Sequence, residues 1–419
     1  MRNAGRLRWL IAVFVLALIA AACGDDDDTG GEATTTTAGD TSETTEGPSV
    51  SGDPVKIGLI AQEEELIAYP EMAVGAVAGQ DYVNAELGGV GGAPLEVEVC
   101  TVGDTPESVV TCAQEFANND EIKVVLMGTL NSGAGNEVLV GVGKPVLSLN
   151  NDIPDIITEG VWAFDPGALV LAAGLLKFAA EDLGALTYAL MIPDDPFYVD
   201  VIAPLLEALA GTYNLAPGGN AVTLPLEGDP TASVTAANDI GADVLIPIAN
   251  GPQCITVAEA VSSVGVTTPV VTVDTCMTTE VISSGALDGW FSVSVCEGPV
   301  APDQRSDDTY TKIVNTYGGG DPTLNSSFGC WAIANTIVAA DVLTDTGGNA
   351  ASADEINVAI GAYSSSSIPA YPPASCPGPD PFVGACLRTA TILKLSGSEA
   401  ALETFVDVDV ETLGFLLEG

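Results

Sequence analysis

The stretch "GTLNSGAGNEVLVG", Gly128 to Gly141, follows the apolar run "VVLM" and consists almost wholly of small residues before a helical pattern resumes. A strand that ends in small side chains at the start of a helix exposes backbone N–H groups. Such a turn favours negative charge, a phosphate or a carboxylate. A nucleotide-type phosphate loop would carry Lys followed by Ser or Thr, but the first lysine after this turn is Lys144. Asn131 and Ser132 are the polar side chains at the turn, and either also suits the N-cap of the following helix.

Other chemistry is sparse. The chain has no histidine, and its nine cysteines contain no CxxC or CxxxC spacing, so zinc, haem and thiol-redox sites are not expected. No metal or organic cofactor is implied. A hydrolase without histidine would need paired carboxylates or a Ser-Lys arrangement, and none of the many acidic pairs has a distinctive context. "VDVDVE" (406–411) alternates with period two and reads as an edge strand or surface segment, not a metal loop. "DDDD" (25–28) reads as a solvated charge run, because adjacent carboxylates on a loose chain do not converge on an ion.

The elements that must position any site begin after an export signal. Arg2, Arg6 and Arg8 precede "WLIAVFVLALIAAA", and Cys23 follows at once. This is the pattern of a lipoprotein signal, with Cys23 lipidated as the new N-terminus; ordinary secretory cleavage leaving a free thiol is the alternative. Residues 24–53 contain no Leu, Ile, Phe, Trp or Tyr and read as a disordered tether.

Lys plus Arg number 11 against 57 Asp plus Glu, and loss of the three signal arginines leaves 8 against 57, a net of −49. Nucleic acid is repelled, and so is an anionic membrane surface, which leaves attachment to a lipid anchor. Eight cysteines remain, an even number that suggests disulfides in an exported chain. Chain order suggests Cys100 with Cys112, Cys254 with Cys276, Cys296 with Cys330 and Cys376 with Cys386, although eight cysteines allow many pairings.

Short apolar runs alternate with helical patterns. "VKIGLIA" (55–61), a helix over 71–87, "LEVEV" (95–99), a helix over 105–118, "KVVLMG" (123–128), a helix from 132 and "PVLSL" (145–149) give β-α-β-α order and a parallel sheet. The pattern restarts with a helix over 168–183, "LTYALMI" (186–192), a helix over 198–213, "AVTLPL" (221–226), a helix over 231–240, "DVLIPIA" (243–249), a helix over 253–265 and "PVVTV" (269–273). Two doubly wound α/β lobes are expected. "VWAFDPG" (161–167) and "GWFSVSVCEGP" (289–299) read as extended crossings between them, each with an aromatic and then a proline. Helices over 303–317 and 327–344 would return to the first lobe. A Pro-rich loop over 364–382, pinned by Cys376 and Cys386, would precede a strand at 387–395. The expected division is 1–23 signal, 24–53 tether, 54–163 plus 299–360 first lobe, and 164–298 plus 361–400 second lobe.

This layout resembles the leucine/isoleucine/valine-binding type of solute receptor that serves ABC importers, the type I periplasmic-binding-protein fold. The resemblance runs from Val55 to about Leu395 and is carried by the order of "VKIGLIA", "GDTPESVVTCAQEFANNDEIKVVLMG" and "KPVLSLNND". It implies that the turn "LNSG" seats a ligand carboxylate through Asn131 and Ser132. A second contact after the fourth strand falls on Asn150 and Asp152, and "NDIP" equally suits a helix start capped by Asp152. In "DDPFYVD" Tyr198 is the implied aromatic lid, beside Phe197, though an aromatic at such a turn also suits a core.

Two places depart from the family pattern. Asn250 and Gly251 in "IANGPQC" stand where a second tyrosine is expected, and Asp274 in "VDTCMTTE" is the nearest candidate for the amine partner. "QEEELIAYP" (62–70) places Glu63, Glu64, Glu65 and the candidate contact Tyr69 near the cleft mouth. Those glutamates are solvated surface charge or, if one faces inward, a sign of a cationic or amine-bearing ligand.

The implied function is extracytoplasmic capture of an amino acid or amide-like solute by a monomer, without catalysis. Two lobes close on a hinge and deliver the ligand to an ABC permease. A surface sensor of the same fold is the alternative role, and a secreted carboxylate hydrolase the remote one.

Overall fold

The computed structural model describes residues 48–63, 68–103, 105–129, 131–149, 153–196 and 198–417. Cys23, Glu64, Glu65, Asn150, Asp152 and Phe197 lie outside them.

The first lobe is built from β1 (Val55–Gln62), α1 (Glu71–Tyr82), β2 (Leu95–Val102), α2 (Pro106–Ala117), β3 (Ile122–Gly128), α3 (Ser132–Val140), β4 (Val146–Ser148), α4 (Ile153–Ile157) and β5 (Val161–Trp162). The strands pair in parallel in the order β2-β1-β3-β4-β5, with β1 flanked by β2 and β3. A parallel sheet is covered on both faces, and the alternation of side chains decides which residue meets which cover. Ile57, Leu59, Val124 and Leu126 join Met72 and Ala76 of α1 in one cluster. Their sequence neighbours Ile60, Val125 and Met127 point the other way, into a cluster with Val109, Cys112 and Phe116 of α2 and Leu139 of α3. The helix expected over 71–87 is α-helical only to Tyr82 and continues as a wider π turn, Val83–Leu87, ending at Gly88 with φ +78°.

The second lobe follows: α5 (Gly167–Glu181), β6 (Thr187–Pro193), α6 (Ala203–Thr212), β7 (Ala216–Pro217), β8 (Val222–Leu224), α7 (Thr231–Asp239), β9 (Val244–Pro247), α8 (Pro252–Val264), β10 (Val271–Thr272), α9 (Thr279–Ser284) and β11 (Phe291–Ser294). β6 carries β7 and β8 along one edge and β9 along the other, all parallel. A bridge between Leu245 and Val270 links β9 to the next sheet. Alternation again separates two faces: Tyr188, Leu190 and Ile246 meet α5 and α6, whereas Ala189, Met191 and Leu245 meet α7 and α8.

The chain then lays down α10 (Asp308–Lys312), α11 (Ser327–Thr346), α12 (Ala353–Gly361), the ribbon β12 (Ser364–Ser365) and β13 (Ala374–Ser375), and the hairpin β14 (Thr389–Ser396) and β15 (Glu399–Asp407). Here the architecture departs from a purely parallel reading. β14 pairs antiparallel with β11 and with β15, giving a mixed sheet β10-β11-β14-β15. An antiparallel neighbour needs only a tight turn, and Gly397 at φ +59° supplies it. Val406 and Asp407 of "VDVDVE" end β15, the edge of this sheet.

α11 is the one described helix long and apolar enough to cross a membrane, and it is buried in the first lobe instead. The four disulfides join Cys100 to Cys112, Cys254 to Cys276, Cys296 to Cys330 and Cys376 to Cys386, the order-of-chain pairing.

α1 lies close against α11 because Gly75 leaves room for the backbone of Gly329. A Cβ at Gly75 would stand 2.7 Å from the Gly329 carbonyl oxygen and 3.1 Å from Ala332 Cβ. Gly75→Leu is therefore expected to destabilise the chain by about 1–3 kcal/mol through overpacking, read as a lowered urea midpoint. An unchanged midpoint would show that the two helices separate freely.

Candidate functional site

Three extended segments pass between the lobes. The first, after β5, bridges Ala163 in parallel to Ala385 and ends at Asp165. The second leaves β11 through Val295 to Glu297, whose N–H donates to the Ala370 carbonyl at 2.8 Å. The third runs through Cys386, whose N–H donates to the Ala163 carbonyl at 3.1 Å. Cys296–Cys330 ties the second segment to α11.

A cavity of about 660 Å³ opens where these segments meet the two lobes. Tyr69, Glu71, Ser326 and Phe328 line it from the first lobe, while Tyr198, Asn250, Gly251, Asp274 and Thr275 line it from the second. Asp165 lies between them. No Lys or Arg is among the lining residues.

Local sequence fixes each wall. Tyr69 donates its N–H to the Gln62 carbonyl at 2.7 Å, and its ring tilts against Phe328 with centroids 4.0 Å apart. Ser326 caps α11 by accepting from Gly329 N–H and donates its hydroxyl to Glu71 Oε1 at 3.3 Å. Across the cleft, Asp274 begins a tight 3-10 turn that includes Cys276, and Cys254–Cys276 fastens that turn to α8. Thr275 donates its hydroxyl to the Ala249 carbonyl at 2.7 Å and accepts from Gly251 N–H at 3.3 Å through its own carbonyl. Gly251 precedes α8 at φ +44°, ψ −122°, where a side chain would be strained. Tyr198 opens a π turn, Tyr198–Ile202, that leads into α6.

The carboxylates here are held away from water. Asp165 is 2% exposed, and its Oδ1 accepts from Gly167 N–H at 2.6 Å, Gly167 taking φ +68° to make that turn. Burial drives its carboxyl up to about 8; the Gly167 bond opposes this, and the nearby Asp274 charge adds to it. Burial lifts Asp274 to about 6 against the backbone N–H groups of Thr275 and Asp274 itself. Glu71 is also raised, first by burial, with Asp321 and Glu63 adding their charge. Tyr69 is pushed up to about 12 by burial and then by Asp274, Glu71 and Tyr198, which places the phenol among groups from both lobes. Of the three loop glutamates, Glu63 is described: burial raises it, and its Oε1 is buried without a hydrogen-bond partner.

The structure thus brings together Tyr69, Tyr198, Asn250, Gly251 and Asp274. Asn131 and Ser132 are not among the residues lining the cavity. Ser132 is fully buried and donates to Asp155 Oδ2 at 2.9 Å, while Asn136 donates to Asp155 Oδ1 at 2.8 Å. Asn131 holds the N-cap position of α3 without a side-chain cap bond. The small residues of that turn have a packing reason. A Cβ at Gly128 would meet Met72 Sδ at 2.7 Å, and one at Gly135 would meet Met127 Cε and Val109 Cγ1 at 2.8 Å.

Asp165, Glu71 and Phe328 were missed from sequence. "DPG" reads first as a turn, and only the position of that turn on a crossing between lobes could have pointed to Asp165 as a cleft residue.

Among the described residues no group of three or more His, Cys, Asp or Glu is placed to hold a metal ion. No curated protein matches the chain in sequence. Solved structures do match in shape. The leucine-binding protein LivK of Thermotoga maritima has a TM-score of 0.65 at 14% identity, covering 85% of this chain and 99% of its own. The branched-chain amino acid transporter substrate-binding protein LivJ of Streptococcus pneumoniae, solved with isoleucine, gives 0.65 at 14% identity over 85% and 99%. An ABC-transporter solute-binding protein of Rhodopseudomonas palustris in complex with benzoate gives 0.64 at 14% identity over 85% and 98%. The sequence profile described as periplasmic binding protein matches residues 54–352, and with its two α/β lobes and the cavity at their crossings the chain belongs to that family.

Proposed function

We propose that the protein is an extracytoplasmic receptor that captures a small amine-bearing solute, an amino acid or amide-like compound, and delivers it as a monomer to an ABC permease. The lobes would be 54–163 plus 299–360 and 164–298 plus 361–400, with the sheet of the second lobe running on through β15 to Asp407. Lipidated Cys23 and the tether over 24–53 would hold the receptor at the outer face of the membrane.

One observation carries the ligand reading: buried Asp165 and half-buried Asp274 and Glu71 converge on the cavity, and no basic side chain lines it. A carboxylate buried without a counter-charge costs free energy that a bound ammonium offsets. Tyr69 and Phe328 add aromatic faces on which a cation is attracted. Each lobe supplies part of this wall, so closure gathers all the contacts and the ligand shifts the population toward the closed form. Asp274, Tyr69 and Tyr198 are the assigned contacts, with Asn250 and Gly251 at the second-lobe rim.

Ligand affinity is expected to follow the Asp274 proton. Below about pH 6 the carboxyl is neutral and attracts an ammonium weakly; above it the carboxylate is charged. In isothermal titration against a panel of amino acids, amines and amides, the dissociation constant of the best amine-bearing ligand should fall from pH 5 to pH 7. Asp274→Asn should weaken binding by about 10- to 100-fold and flatten that pH dependence. Binding that is indifferent to both would sink the amine reading.

Asp165 allows a separate test on stability. Its folded-state carboxyl is raised from 3.8 to about 8, so the folded chain holds the proton more tightly than the unfolded chain. Stability from this group is complete below about pH 4 and is lost as pH rises toward 8. Asp165→Asn keeps the acceptor for Gly167 and has no proton to release. Its melting temperature should equal that of the wild type near pH 4 and exceed it at pH 9, by an amount worth roughly a few kcal/mol.

A further inference from the structure

A second cavity, of about 160 Å³, lies inside the second lobe between α5, α6 and the sheet. Its walls include Leu175, Ile202, Leu205 and Ile246, and Asp274 is its one charged lining residue. Ala168, Leu171 and Asp274 line both this cavity and the larger one, so the two share a wall at which the carboxylate stands. A dry apolar cavity of about 150 Å³ accepts a benzene ring. Well-packed interiors rarely leave a void of that size beside a binding cleft.

We propose that this cavity is a subsite for the apolar part of the ligand, which is an organic ammonium with a ring-sized apolar group. The charged nitrogen meets Asp274 at the shared wall, and the apolar group passes between Ala168 and Leu171 to lie against Leu175, Leu205 and Ile246. The carboxylate at the entrance sets the sign of the head group: an apolar carboxylate would bring like charge against Asp274 where water is scarce. The side chains behind it set the size. This inference rests on the receptor reading given above and sharpens its ligand class.

The test is calorimetric titration of the full chain in detergent with methylamine, phenethylamine, benzoate and leucine. Phenethylamine should bind about 10- to 100-fold more tightly than methylamine, the gain expected from burying one phenyl group. Benzoate should not bind. Leu205→Trp, which fills the cavity, should abolish the gain of phenethylamine over methylamine. Ala172→Leu, a smaller filling of the same space, guards against misfolding of the first variant. Equal affinity for the two amines, or a gain that survives both substitutions, overturns the subsite while leaving the amine seat standing. Saturable binding of benzoate in preference to either amine overturns the ammonium ligand but keeps the receptor, and a preference for leucine, itself an ammonium, over phenethylamine overturns the ring-sized apolar group. No binding by any of the four overturns this inference, and the receptor reading then falls or stands on the wider panel of solutes.

Discussion

The structure turns on carboxylates wholly or half buried where the two lobes meet. Desolvation opposes the charge of each, and no lysine or arginine lines the cavity to neutralise it. Asp165 accepts from Gly167 N–H and stands on the segment that joins one lobe to the other. A charge that the fold does not satisfy must be satisfied from outside or held as a neutral acid. Either choice makes the junction responsive to what enters the cleft, which suits a molecule whose work is to change shape around a solute.

The rest of the chain supports this junction from both sides. Both lobes bury both faces of their sheets, and single strands serve the two faces by alternation, as Leu59 and Ile60 do on β1. Cys254–Cys276 holds the turn carrying Asp274 against α8, and Cys296–Cys330 anchors the second crossing to α11. Because Phe328 and Ser326 stand at the start of α11, that second cross-link also fixes the aromatic and hydroxyl wall facing Asp274. The overall acidity of the chain fits the same picture, since a strongly negative surface draws cations toward the cleft and repels anions.

Much of the fold was legible in sequence because strands buried on both faces are continuous apolar runs. "VKIGLIA" and "LTYALMI" became β1 and β6 with ends shifted by a residue. The antiparallel hairpin of β14 and β15 was half seen: "LRTATILKL" announced a strand, but "EAALETFVD" mixes polar and apolar residues as an edge strand does, and its partner was not signalled. Short helices such as α12 lacked the length for a periodic signal, although the Ser352–Glu355 capping box marks its start. The disulfide order was legible because each pair closes a local loop, of 10 to 34 residues.

The site was less legible, and the turn at Gly128 to Gly141 shows why. Small residues at a strand-to-helix junction have two physical causes, approach of a ligand to backbone N–H groups and approach of one element to another. In this chain the second cause is seen directly. Gly128 admits Met72 and Trp331, and Gly135 admits Met127 and Val109. Ser132 and Asn136 both donate to Asp155, a buried acid. A spacing pattern cannot separate these causes, because both demand the same absence of a side chain. Buried charge separates them better. Asp165 is 2% exposed beside the cavity whereas Ser132 turns inward to Asp155, and that difference is made by the fold and not by the spacing.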